Sequence, residues 1–383
     1  MKQVITSLLD NDFYKFSMLN AVLKTYPGEE VEYTFHNRDK RDFSLKVCSE
    51  ICEQIRLMAN IKLTQIEELF LRKEFSLVFD EDFFEFIKNF KFDPSTVTLS
   101  GFGADLTINI KGTWEQTILW EVPLMAIISE VYFGINNPTT SLSDFKIRTA
   151  KKGKTISEKD YHVIEFGTRR RFSKLTQSLA ISILKMNWGI RGTSNMYFGM
   201  IHNLPIKGTT AHEWIMFHGA KYGYENANNR AMEAWKSVYG KKLNVVLTDT
   251  YTSQHYFDHL DPTEAKALDG FRQDSGDPLI YTDLVLKYLK DNNITKAKSI
   301  MYSDSLSLDK IDKIDGHRPA ATIIRTYGVG TYFTNDIEGI KPLNMVIKLS
   351  KVGDKPTVKI SDDLGKNTGD SEEIINCKKE LKL

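Results

Sequence analysis

The chain has 383 residues, enough for two or three domains or for one large barrel with additions. Its 51 Lys and Arg nearly balance 50 Asp and Glu, which excludes non-specific binding to nucleic acid or to an anionic membrane as the main business, since both need a large field of one sign. With 41% hydrophobic and 26% charged residues it is composed like a globular protein with a large core, and its three cysteines offer neither a disulfide framework nor zinc spacing, which points to a reducing compartment.

The opening MKQVITSLLDND meets acidic residues before any apolar stretch long enough for a signal peptide. The apolar run VPLMAIIS from Val122 is bracketed by Glu121 and Glu130 and is too short to span a bilayer, so a soluble, cytoplasmic protein is expected. FYKFSMLNAVLKTYP reads as a helix stopped by Pro27 and Gly28. In VEYTFHN, Val31, Tyr33 and Phe35 alternate with polar residues, a strand pattern. Helical patterns then run to about Phe90, with Cys48 and Cys52 on an apolar face beside Ile51 and Ile55. TVTLSGF and LTINIKG read as β, followed by a helix from Trp114 to Phe133. The charged KIRTAKKGKTISEKDY (146–161) reads as a connection between parts.

Beyond it, short apolar runs alternate with helical patterns: HVIEFG, PIKGTTAH, LNVVLTDT, GFRQDSGD, KSIMYSDS and TIIRTYGVG. Repeated β-then-α units imply a parallel sheet with right-handed crossovers. Arg169, His212, Asp249, Asp274, Asp304 and Gly328 fall at the C-terminal ends of these runs. That is the active rim of an α/β barrel, although an open doubly wound sheet also places ligands there. The expected division is residues 1–140 as an α+β N-terminal domain, joined by 343–383, with 141–342 as the catalytic α/β part. NMVIKLSKVGDKPTVKISDD reads as a hairpin about a Gly-Asp turn.

Four strand ends carry the chemistry. EFGTRRR (Glu165–Arg171) sets three guanidiniums after a buried strand, where cations make poor helix starts but good partners for a carboxylate or phosphate. In GFRQDSGDP, Gly276 permits close backbone approach, Ser275 and main-chain N–H groups can donate to an anion, and Asp274 or Asp277 could bind ribose hydroxyls or Mg²⁺. Asp277 before Pro278 also makes a helix cap. YGVGT (Tyr327–Thr331) is a short loop able to cradle phosphate. Of eight histidines, His212 in GTTAHEW stands at a strand end next to Glu213, which could orient its ring for work as a base, nucleophile or phosphate acceptor. Asp249 is either a ligand or the cap of the next helix. LLDNDFYKFSM gives no reason on its residues alone to prefer function over core.

Taken in order, LLDNDFYKFSM, ILWEVPL, EFGTRRRFS, GTSN, GTTAHEW, LTDTY, GFRQDSGDP, YSDSLSL, YGVGT and PLNMVIKLS resemble the nicotinate phosphoribosyltransferase family over nearly the whole chain. Departures are small: Asn11 where Thr is frequent, and no Asn after the Asp of YSDSLSL. The resemblance implies the irregular α/β barrel of the type II phosphoribosyltransferases with an additional α+β N-terminal domain. It implies condensation of nicotinate with phosphoribosyl pyrophosphate, coupled to ATP hydrolysis through a phosphohistidine at His212, with ATP and Mg²⁺ as cofactors and metal ligands left open. His212, Glu213 and Asp274 would be catalytic, and Tyr14, Phe166, Arg169 and Ser194 would hold nicotinate. Arg272, Asp274, Ser275, Gly276, Asp304, Gly328, Gly330 and Thr331, with Arg38 and Lys359, would hold phosphoribosyl pyrophosphate. A homodimer is implied, Tyr14 entering the neighbour's site.

The chemistry fits these residue types. The transition state is oxocarbenium-like, so the protein must clamp an anionic donor rather than supply a strong base, and His212 would serve energy coupling. The nearest competing reading is a nicotinamide- or quinolinate-specific relative. A metal-dependent barrel hydrolase calls for paired His ligands such as His-x-His, which do not occur. A non-catalytic sensor of phosphoribosyl pyrophosphate ranks last.

Overall fold

A computed structural model describes residues 1–136, 141–208, 210–317, 322–363 and 366–383. Thr209 of the GTTAHEW motif, and the expected division at residue 140, lie outside the described residues. The chain forms two compact units, Met1–Gly208 with Val329–Lys348, and Thr209–Gly328 with Leu349–Leu383.

In the first unit, the helix Phe13–Thr25 is buried along almost its whole length. The strands β1 (Glu30–Asn37), β2 (Val97–Ser100) and β3 (Thr107–Thr113) form an antiparallel sheet with β3 in the middle, Tyr33 opposite Ile110. Alternation fixes this register: Val31, Tyr33 and Phe35 point into the core, and a slip of one residue would expose all three. The segment 114–136 becomes a near-continuous helix of 23 residues, long and apolar enough to cross a membrane by length and composition. This is the helix expected from Trp114 to Phe133, with a 3-10 turn at Ile118–Trp120 and an extension to Asn136. Burial within the protein covers 78% of its most apolar window, as in a core helix.

Most of the stretch 146–161, expected as a connection, is helical instead, residues 146–158 lying within the helix Leu142–Glu158. Ser141 caps its N-terminus, and Phe145, Thr149, Lys152, Gly153 and Ile156 are buried. The lysines hide this apolar stripe in the sequence. Lys152 is satisfied inside by Asp336 at 2.7 Å and by the Tyr332 ring at 3.8 Å.

The short strand β4 (Val163–Glu165) opens a parallel ladder in which Glu165 bridges Thr193 and Thr193 bridges Ile206. PIKGTTAH, expected as a strand, is represented by the single bridge at Ile206. In the second unit, β5 (Val245–Leu247), β6 (Gly270–Gln273), β7 (Lys298–Tyr302) and β8 (Ile323–Val329) pair in parallel in that order, helices filling the crossovers as expected. The terminal hairpin of β9 (Met345–Val352) and β10 (Lys355–Pro356) turns at Gly353 and Asp354, Gly353 taking a φ of +55°. A parallel bridge of Tyr251 to Ile360 then brings the tail alongside the end of β5.

Candidate active site

In the second unit the polar strand ends converge on His212, the first residue of the helix His212–Tyr222. Its Nδ1 lies 3.0 Å from Thr250 Oγ1, and its Nε2 lies 3.2 Å from Asp274 Oδ2 and 3.0 Å from Lys359 Nζ. Backbone pairing explains the arrival of the lysine: Ile360 N donates to Thr250 O at 2.7 Å, which sets Lys359 beside the β5 loop. Lys359 also donates to Asp249 Oδ2 at 3.0 Å. Arg272, at the end of β6, pairs with Asp274 Oδ1 at 3.0 Å and donates from Nε to Ser303 Oγ at 2.9 Å.

Two carboxylates therefore sit in a cage of cations. Burial pushes Asp274 up, but Arg272 and His212 outweigh it and hold the carboxyl well below its usual range. Burial likewise opposes ionisation of Asp249, and Lys359 with His212 overcome it. The two differ in reach: the Asp274 side chain is 24% exposed and that of Asp249 is 1% exposed. Asp274 is the carboxylate of the pair that solvent reaches, and Asp249 anchors the cage from within. The cap of the following helix is Thr252, which leaves Asp249 to this network. Its second oxygen, Oδ1, is buried without a hydrogen-bond partner.

Ser275 donates to Asp249, and its hydroxyl accepts the Asp362 N–H at 3.2 Å. Asp362 in turn accepts from Ser253 N–H and hydroxyl. Gly276 takes a φ of +77°, and a Cβ there would stand 2.9 Å from Asp362 Cβ, so only glycine suits this loop. Asp277 caps the helix Pro278–Asp291, accepting from Leu279 N–H at 2.7 Å. Asp304, next to Ser303, pairs with Lys310 at 3.5 Å. Gly328 is buried at the end of β8. Glu213 is buried too, while the ring of His212 takes its bonds from Thr250, Asp274 and Lys359. Among the described residues no group of three His, Cys, Asp or Glu is placed to hold a metal ion.

The first unit holds the other expected residues. Ser194 and Thr168 donate to Asp12 Oδ1 at 2.9 and 2.8 Å. Tyr14 follows two residues later, 8% exposed. Phe166 N–H donates to Val329 O at 2.8 Å, and a Cβ on Gly330 would stand 3.4 Å from Phe166 O. Thr331 opens the short helix Thr331–Thr334. Arg38 is exposed just beyond β1, its N–H bonded to Asn344 O.

Two of the three consecutive arginines separate by role. Arg171 is fully buried and grips Asp10 through both terminal nitrogens, at 2.8 and 3.0 Å. Arg169 keeps 29% of its side chain exposed and pairs with Glu121 at 3.2 Å, where Lys15 also binds at 2.6 Å. Burial pushes Glu121 up, but Lys15 and Arg169 bring it down to about 2. Asp10, Asp12, Lys15, Glu121 and Glu165 were not singled out as functional from the sequence. The clue available was several ionisable residues inside apolar motifs, which demand buried partners.

This arrangement, with parallel strands ending in a caged imidazole beside a buried arginine, is an α/β enzyme fold joined to an N-terminal α+β part. A solved nicotinate phosphoribosyltransferase from Porphyromonas gingivalis matches it with a TM-score of 0.96 at 35% identity, covering 99% of this chain and 100% of that one. A structure titled a putative nicotinate phosphoribosyltransferase from Saccharomyces cerevisiae matches with a TM-score of 0.93 at 32% identity, over 100% and 99% of the two chains. The model of the nicotinate phosphoribosyltransferase family matches residues 161–383, and that of its N-terminal domain matches residues 9–129. A nicotinate phosphoribosyltransferase of Desulforapulum autotrophicum is 42% identical over 99% of both chains. This chain belongs to the nicotinate phosphoribosyltransferase family and is a transferase enzyme.

Proposed function

We propose that the enzyme joins nicotinate to the ribose of phosphoribosyl pyrophosphate, giving nicotinate mononucleotide and pyrophosphate, and that ATP hydrolysis is coupled to this reaction through His212. The observation that carries the coupling is the imidazole held between Thr250, Asp274 and Lys359, with Nε2 between the Lys359 ammonium and the Asp274 carboxylate. In the condensation the pyridine nitrogen forms a bond to the anomeric carbon as the bond to pyrophosphate breaks. That nitrogen carries no proton to remove, so the work of the protein is to hold charge and orientation.

Arg272, Ser275, Gly276, Asp304, Gly328, Gly330 and Thr331 are assigned to the phosphoribosyl group, and Arg38 and Lys359 to pyrophosphate. Asp274, the more accessible carboxylate of the cage, suits the ribose hydroxyls and the growing positive charge. Tyr14, Phe166, Arg169 and Ser194 are assigned to nicotinate; the partly exposed guanidinium of Arg169 supports its pairing with the ring carboxylate. Glu213, adjoining His212, is kept as a supporting catalytic residue.

For coupling, the γ-phosphoryl of ATP moves to Nε2 of His212, an N–P bond forming as the P–O bond to ADP breaks; water later cleaves the N–P bond and releases phosphate. Phosphorylated, His212 would bring negative charge to Lys359 and Arg272 and reorganise the loops they hold. The residues fit Mg²⁺ as an ion carried mainly by phosphate oxygens: Asp274, whose side chain is 24% exposed, is the cage carboxylate that would supply a ligand, and the metal would neutralise phosphate charge.

A homodimer in the cytoplasm completes the reading. Three free thiols support a reducing compartment. With Tyr14 8% exposed, only a small part of its ring is available to a neighbour. The test is incubation with labelled ATP and mapping of acid-labile phosphate, beside kinetics with nicotinate, nicotinamide and quinolinate. Phosphate on His212 and a preference for nicotinate are expected; unlabelled protein or a preference for either other ligand would overturn the corresponding part.

A further inference from the structure

The second unit contains a cavity of about 160 Å³ that the reaction does not use, the size class that takes one small aromatic molecule. It lies between the helices His212–Tyr222 and Tyr224–Tyr239 and the edge of β5. Trp214 and Trp235 line it, and their indole N–H groups are already spent on Ala231 O and Leu243 O, at 2.9 and 3.0 Å. Both rings therefore offer the cavity their apolar surfaces. Gly240 and Lys241, both exposed, stand at its rim.

Two polar atoms in this apolar wall are buried without hydrogen-bond partners, Asn228 Oδ1 and Tyr256 Oη. Tyr256 is only 5% exposed, and burial pushes its phenol up, so it stays neutral. Buried polar atoms are normally satisfied, and a carbonyl-type oxygen calls for a donor. The wall also adjoins the catalytic cage. Thr210 lines the cavity while its carbonyl accepts from Arg272 at 3.3 Å, and the helix that starts at His212 carries Trp214 and Ile215 into the wall.

We infer that this cavity is an effector site for a flat, uncharged aromatic molecule bearing one N–H donor, bound against the edge-to-face pair of Trp214 and Trp235, whose centroids stand 5.6 Å apart, with its N–H on Asn228 Oδ1. Occupancy reaches the phosphoribosyl clamp through Thr210 and Arg272.

The test uses the full-length enzyme and two probes of nearly equal shape, indole and benzofuran, which lacks the N–H. Calorimetry should show saturable binding of indole, roughly five- to tenfold tighter than benzofuran, the worth of one hydrogen bond. Asn228→Leu should remove that difference while leaving benzofuran bound, and Tyr256→Phe tests the wall independently should the first variant fold poorly. Binding should persist in the presence of phosphoribosyl pyrophosphate. No saturable heat, equal affinity for the two probes, or displacement by phosphoribosyl pyrophosphate would overturn the site. Saturating indole should change KM for phosphoribosyl pyrophosphate at least twofold in the wild type, and in Asn228→Leu the same change should need roughly five- to tenfold more indole; an unchanged KM in the wild type would overturn the effector role. The kinetic readout rests on the proposed transferase reaction, whereas the calorimetric one does not, so the two failures are distinguishable.

Discussion

Nζ of Lys359 stands 3.0 Å from Nε2 of His212, a cation facing the nitrogen of a buried imidazole. An ammonium only donates, so this contact favours the tautomer whose Nε2 lone pair is free to accept, with the Nδ1 proton on Thr250. The same lone pair is the nucleophile that a phosphoryl transfer needs. Asp274 on the other side of Nε2 suits the protonated ring, so the cage can serve both states.

Replacing His212 with Ala should lower ATP hydrolysis by about two orders of magnitude or more, as for loss of a nucleophile, while slow nucleotide synthesis without ATP persists. Parallel assays of phosphate release and nucleotide formation check this. Unchanged ATP turnover would refute the assignment.

Lys359→Met leaves Asp249 buried without its cation. The expected cost is about 3 kcal/mol or more in folding stability, measured by urea unfolding, together with reduced labelling of His212 by ATP. A variant of wild-type stability would show that the Asp249 pair is not a supporting contact.

Arg171 and Arg169 should behave as opposites. Arg171→Met leaves buried Asp10 with only Lys174 at 3.4 Å as its cation and should cost about 3 kcal/mol, with Lys a poor replacement for the bidentate grip. Arg169→Met should change stability by about 1 kcal/mol or less, since Glu121 keeps Lys15. Its effect should fall on KM for nicotinate, raised about tenfold for one lost charge-assisted bond.

Asp10 and Glu165, linked through Arg171 and Gln177, should give stability two opposed responses to pH. Burial raises Asp10, but Arg171 and Lys174 bring it to about 2 from 3.8. Its contribution of about 2 kcal/mol is present above pH 3.8 and lost as pH falls through 2. Burial takes Glu165 up to about 7 from 4.5. The protonated form is favoured on folding, so its contribution of about 3 kcal/mol is complete below pH 4.5 and lost as pH rises through 7. Urea unfolding across this range should show both limbs, and Glu165→Gln should abolish the upper one alone.

Gly276→Ala forces a Cβ against Asp362 at a φ of +77°. Destabilisation of about 1–3 kcal/mol is expected, with a higher KM for phosphoribosyl pyrophosphate as Asp362 and Ser275 shift. Thermal unfolding and initial rates would detect it; a neutral variant would mean that the loop relaxes freely.

Local patterns were enough to read much of this molecule. Alternation in VEYTFHN, apolar runs ending in polar tips, and the Asp277–Pro278 cap each depend on neighbours a few residues away, so β1, β5 to β8 and the helix Pro278–Asp291 were legible. Lysines masked the stripe of Leu142–Glu158, because only their buried stems and the partner Asp336, far along the chain, make that face apolar. Likewise the sequence by itself placed Arg272, Asp274 and three arginines at strand ends, whereas His212 proved to open a helix instead. Tertiary structure decided which of them work together: Lys359 reaches His212 across 147 positions, and Asp10 claims Arg171 across 161. Charge neutralisation in a dry interior is a property of pairs, and pairing over such separations is set by the packing of strands and helices rather than by anything local to either residue.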